Sequence, residues 1–87
     1  MNKMSIFEHP EFGRIRTLDI DGKIWFCASD VASALGYANP RDAVVRHCKP
    51  MGVAIYDTPT RSAVQKIKYI NEGNVYRLIA GSKLPAA

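Results

Sequence analysis

Apolar and polar positions alternate first with a strand-like period. Arg14-Ile15-Arg16-Thr17-Leu18-Asp19-Ile20 carries β-branched residues, Lys23-Ile24-Trp25-Phe26-Cys27 follows, and Asp21-Gly22 lies between them. That dipeptide supplies both φ > 0 positions of a type I′ turn, which predicts a β-hairpin. Ahead of it, Ile6-Phe7 is a short apolar start and His9-Pro10-Glu11-Phe12-Gly13 reads as a loop. After Cys27 the period lengthens. Ser29 is placed to cap a helix, Asp30 sits in its first turn, and Val31, Ala34 and Leu35 share a face. Gly36 is the left-handed stop. Asn39-Pro40 repeats the start signal, with a cap and a proline at the first helical position. The second helix runs from Arg41 to His47 or Cys48 and ends at Pro50-Met51-Gly52. Joined by Gly36-Tyr37-Ala38, the two helices form a compact helix–turn–helix-like pair.

Residues 53–57 and 64–70 alternate weakly around Thr58-Pro59-Thr60-Arg61-Ser62-Ala63, which predicts a second hairpin with an open basic tip. Asn71 caps a third helix over residues 72–80, with Val75, Leu78 and Ile79 on one face and Gly81 as its stop. The expected fold class is α+β: two small antiparallel β-hairpins, a helix–turn–helix-like pair and a third helix.

The chain has 87 residues, 47% of them apolar and 23% charged. This length and composition suit one small globular domain over residues 1–87. Cys27 and Cys48 are too few for a disulfide scaffold, and reduced thiols are the expectation. No signal-peptide run or membrane-length apolar run occurs, so the expected location is cytoplasmic, with no membrane partner. Twelve Lys and Arg against eight Asp and Glu leave a net charge of +4, which suits a polyanion.

The chain has neither a Gly-x-Ser-x-Gly elbow nor a Gly-x-x-x-x-Gly-Lys phosphate loop, and neither His9 nor His47 sits in a motif that orients a nucleophile. His9, Cys27, His47 and Cys48 lack the paired spacing of zinc arms. No enzyme activity, cofactor or metal is expected.

Two surfaces are candidates for contact. On the second helix, Val44 and Cys48 lie together with Ala43 and Val45 on either side. Asp42, Arg46 and Lys49 lie opposite, and Arg41 is at the boundary. This polar side reads either as a solvated face with an Asp42–Arg46 pair or as cations offered to phosphates. On the second hairpin, Lys66 and Lys68 share a face opposite Gln65, Ile67 and Tyr69, with Arg61, Thr58, Thr60 and Ser62 at the tip. It reads equally as a phosphate-gripping wing or as an edge guarded by lysines. Trp25 and Phe26 face opposite sides of a strand, so one is core and the other packs under a helix or in a protein interface.

The run Trp25-Phe26-Cys27-Ala28-Ser29-Asp30-Val31-Ala32-Ser33-Ala34-Leu35-Gly36-Tyr37-Ala38-Asn39-Pro40 resembles the signature of the Bro family N-terminal domain, found in phage and prophage antirepressors and in insect-virus Bro proteins. Ala43-Val44, Thr58-Pro59, Gln65-Lys66, Ile70-Asn71-Glu72, Tyr76-Arg77-Leu78-Ile79 and Ser82-Lys83-Leu84-Pro85 with Ala87 follow in family order, so the likeness spans residues 14–87. Two features depart from it. Gly73-Asn74-Val75-Tyr76 replaces a glycine next to a Leu-Tyr pair, which points to a different start for the third helix. The chain also stops where the family continues into a helix bearing Phe and Trp, which reads either as a C-terminal truncation or as a natural short form.

The resemblance implies a DNA-binding domain of a phage or prophage antirepressor or transcription regulator, without enzyme chemistry. The expected partner is DNA, duplex or single strand, met by phosphate contacts from Arg41, Arg46, Lys49, Arg61, Lys66 and Lys68. The alternative is a module that binds a phage repressor protein and never touches DNA. The signature also implies that Asp30 ties its helix to neighbouring backbone or to a cation such as Arg77. Finally, the apolar face of Val75, Leu78, Ile79 and Leu84, left without the family's last helix, predicts a homodimer or higher homo-oligomer.

Overall fold

The computed structural model describes residues 3–10 and 13–82. Strands β1 (Lys3–His9), β2 (Gly13–Ile20) and β3 (Lys23–Cys27) are followed by helices α1 (Ala28–Ala34) and α2 (Pro40–His47). A 3₁₀ turn (Pro50–Gly52), strands β4 (Val53–Pro59) and β5 (Val64–Ile70), and helix α3 (Glu72–Gly81) complete it. The α+β class holds, but the two expected hairpins are parts of one antiparallel five-stranded sheet in the order β1-β2-β3-β5-β4. The seam between them is two residue pairs, Phe26↔Ile70 and Cys27↔Tyr69.

Local chemistry accounts for most boundaries. Asp21 and Gly22 take φ of 52° and 84°, the two left-handed positions of the tight turn between β2 and β3. Gly36 takes φ 85° and ends α1: its N–H reaches the Ser33 carbonyl, and that of Tyr37 reaches Ala32. The side chain of Asn39 accepts from the Asp42 N–H at 3.2 Å, and that of Asn71 from the Asn74 N–H at 3.0 Å. Both are the expected helix caps.

Four boundaries differ from the sequence reading. β1 is a full strand paired with β2 from Lys3↔Asp19 to His9↔Gly13, not an isolated Ile6-Phe7 start, because β2 supplies it a continuous ladder. Of the expected loop, Glu11 and Phe12 lie outside the described residues. α1 begins at Ala28, with Cys27 in the cap position, because the strand runs straight into the helix; Ser29 falls inside the first turn. β4 extends to Pro59, which leaves a closed tip of residues 60–63. Thr60 N–H and Oγ1 both donate to the Ala63 carbonyl, at 2.9 and 2.6 Å.

Gly81 is the last residue of α3 rather than a left-handed stop. A Cβ there would lie 2.7 Å from the His47 ring and 2.8 Å from the Tyr37 hydroxyl, so close approach of α3 to the helix pair requires the glycine.

The helices cover one sheet face. Ile15, Ala28, Val31, Ala32, Leu35, Ala43, Val44, Ile70 and Leu78 form that core, with Phe26, Val75 and Ile79 packed against it. Leu78 is fully buried and Val75 and Ile79 are half-buried within the chain, so the open α3 face expected to drive self-association is already covered; Leu84 lies outside the described residues. On α2, Ala43 and Val44 are buried but Val45 is exposed, because the core-facing stripe passes through positions 43, 44, 47 and 48. On the other sheet face Leu18, Cys27 and Tyr69 are buried, with Trp25, Tyr56 and Ile67 beside them. Trp25 and Phe26 thus each half-bury in a different cluster.

Candidate nucleic-acid interface

A groove of about 510 Å³ runs between the helix pair and β5, lined by Arg16, Ala28, Ser29, Arg41, Val44, Gln65, Lys66, Ile67 and Lys68. Its walls come from distant parts of the chain: Arg16 from β2, Arg41 from the first turn of α2, and the two lysines from β5. Lys66 and Lys68 share a strand face because side chains alternate with period two. They lie beyond Ile70, where the helices no longer cover the sheet, and both are exposed.

Three of the six expected phosphate contacts, Arg41, Lys66 and Lys68, therefore line one groove. The other three do not line it. Arg46 is exposed on α2 and pairs with Asp42 at 3.5 Å. Lys49 follows α2; its backbone is clasped by the buried Asn74, whose Oδ1 accepts the Lys49 N–H at 2.9 Å and whose Nδ2 donates to the Lys49 carbonyl at 3.0 Å. Asn74, part of the run that departs from the family pattern, thus has a structural task, and α3 starts normally at its Asn71 cap. Arg61 stands exposed at the hairpin tip. Thr58 is turned away from that tip: it is buried, with its hydroxyl 2.8 Å from that of Tyr69, and has no free surface for a phosphate.

Sequence reasoning missed Arg16. β3 ends opposite this part of β2, where Thr17↔Phe26 is the last pair, and the chain turns into α1. The Asp30 carboxylate completes the vacated ladder. Its Oδ2 accepts the Arg16 backbone N–H at 3.0 Å and Nε at 2.9 Å, and its Oδ1 accepts Nη2 at 3.0 Å. The expected tie of Asp30 to backbone and to a cation is present, with Arg16 in place of Arg77. The available signal was Asp30 itself, three residues past the end of a strand whose neighbour carries Arg14 and Arg16.

The electrostatics of this pair follow from its position. Burial raises the Asp30 carboxyl, but the hydrogen bonds from the Arg16 guanidinium and backbone, together with its charge, outweigh burial and hold it below the ordinary carboxylate value. The Asp30 hydrogen bond raises the Arg16 guanidinium in turn, against the effect of its burial. Lys66 pairs with Asp57 across the strands at 3.3 Å. Among the described residues, Arg41 and Lys68 have no carboxylate within ion-pair distance. Burial pushes the Cys48 thiol up, which keeps it protonated.

The family model for the N-terminal domain of the BRO family matches residues 14–87. The chain belongs to the BRO family. Bro-N is a regulatory, non-enzymatic domain family associated with phage antirepressor and DNA-binding proteins. An uncharacterized protein of Haemophilus influenzae is 51% identical over 70 residues, which is 80% of this Bro-N chain and 35% of the relative. The chain thus spans about a third of the length of the curated relative it matches. No solved structure matches it. No helix among the described residues is long and apolar enough to cross a membrane.

Proposed function

We propose that this Bro-N domain is the DNA-binding module of a phage or prophage antirepressor or transcription regulator, acting in the bacterial cytoplasm. Arg41, Lys66 and Lys68 contact backbone phosphates in the groove, and Arg61, Arg46 and Lys49 extend the contact outside it. The observation that supports this most is the convergence of Arg41 and the two β5 lysines, distant in sequence, on one concave surface. Phosphate contacts of this kind give affinity and register without a base code. Duplex DNA is favoured over single strands because no aromatic side chain lines the groove to stack bases.

Fluorescence anisotropy with a labelled duplex, titrated from about 50 to 200 mM salt, tests the reading. The three groove contacts alone give log K against log salt a slope of about −2.7, and all six cations together steepen it to about −5.4. Absence of duplex binding at the lowest salt rejects DNA contact and leaves the other reading, a module that captures a repressor protein.

A further inference from the structure

On the far side of Val44 and Lys68 from the cationic groove lies a second depression of about 300 Å³. Val44 and Val45 of α2, Cys48 at its C-terminal cap, Pro50, Val53 and Ile55 of β4, and Lys68 line it. It follows β4, an edge strand on whose outer side no described strand pairs. Natural edges are blunted by charge, proline or a bulge. Here Pro59 blunts only the end of β4, and its one charge, Asp57, is paired with Lys66. The central residues Ala54, Ile55 and Tyr56 carry no guard, and the patch is apolar and open. Val45 is 66% exposed, Ile55 57%, and Met51 in the neighbouring turn 91%.

The charge around this patch is one-sided. Among the described residues Lys68 and Lys49 have no carboxylate partner, whereas the nearby acids Asp42 and Asp57 are already paired with Arg46 and Lys66. We propose that the β4 edge and this depression take an extended segment of a partner protein. The segment sends apolar side chains, and an acidic one at two-residue spacing from them, onto the helix-covered face. Main-chain pairing along β4 supplies affinity, the depression selects the apolar side chains, and the acidic group meets Lys68, which stands opposite Ile55 in the ladder. A second copy of this chain fits less well, because it brings its own unpaired lysines and a net charge of +4 to the same edge. The inference does not rest on DNA contact, although Lys68 lines both the cationic groove and this depression.

The test uses the blocked heptapeptide Glu-Thr-Val-Thr-Leu-Thr-Glu, a control with lysine in place of glutamate, and a control with alternate backbone nitrogens methylated. Backbone amide NMR shifts are expected in residues 53–57 and 44–48, with a Kd of about 0.1–1 mM. Both controls are expected to bind at least about tenfold more weakly, roughly 1.4 kcal/mol. Ile55→Lys is expected to abolish the shifts with melting unchanged, since Ile55 is exposed. Equal binding of the lysine control overturns the proposal, as do shifts elsewhere on the chain or none at about 2 mM peptide. Sedimentation as a dimer that Ile55→Lys dissolves also overturns it, by giving the edge to a second copy.

Discussion

Arg16 and Lys66 line the same groove, and each has a carboxylate beside it, but the two pairs differ in kind. The Arg16–Asp30 side chains are 34% and 20% exposed and joined by two side-chain bonds plus one from the backbone. The Lys66–Asp57 side chains are 78% and 66% exposed and share one contact at 3.3 Å. The first pair fills a gap in the sheet ladder where β3 gives way to α1. The second lies across two strands in water, where an ion pair contributes little. One wall of the groove therefore uses its cation to hold the fold, and the other keeps its cations for whatever enters.

Removing Asp30 gives the largest effect. Asp30→Ala leaves a half-buried guanidinium and a ladder N–H without their acceptor, which costs about 2 kcal/mol. Thermal melting is expected to fall by about 8–16 °C. A loss below about 0.5 kcal/mol would place Arg16 with the solvent cations and erase the contrast.

Acid titration sharpens the same contrast. The folded pKa of Asp30 is depressed, so its contribution is present above the unfolded carboxylate value of about 3.9 and is lost as pH falls through the lower, folded value. The stability gap between wild type and Asp30→Ala is thus expected to be full at neutral pH and to narrow below about pH 4. Urea unfolding at several pH values reads this directly. A gap that stays constant down to pH values near 2 would show that lost packing, not charge, sets the cost of the substitution.

The β5 wall is expected to respond in the opposite sense. Lys66→Ala and Lys68→Ala each reduce the salt slope of DNA binding by about 0.9 and leave stability within about 0.5 kcal/mol. Equal losses in melting would mean that these lysines, too, serve the fold. The smallest effect belongs to Asp57→Asn. Stability moves by less than about 0.5 kcal/mol, and release of Lys66 strengthens duplex binding by less than about threefold, measured by the same anisotropy titration.

What was legible in the sequence is what the chain decides locally. Asp21-Gly22, Asn39-Pro40, Gly36 and Asn71 each act within four residues of themselves, and each marks the boundary it encodes. The alternation on residues 64–70 likewise puts Lys66 and Lys68 together. The seam between β3 and β5, the full pairing of β1 and the partner of Asp30 depend on residues far apart in the chain, and no local pattern carries them. Val45 shows the same limit on a smaller scale. Helical geometry places it beside Val44, but only the position of the sheet decides which side of Val44 is covered. Gly81 shows it as well: a glycine at a helix end reads as a stop, whereas here it makes room for His47 and Tyr37 from another part of the chain.

The seam of two residue pairs also carries a long chain closure. Each hairpin closes over a short turn, a microsecond process for isolated strands. Joining them brings Cys27 to Tyr69, a closure of about 40 residues whose entropy must be met before any contact across it contributes. Arg16 stands on one side of that closure and Lys66 and Lys68 on the other. The groove is consequently absent from either hairpin alone and exists only once the two are joined. A nascent or half-unfolded chain has the same net charge as the native one, but its cations are not gathered in one place.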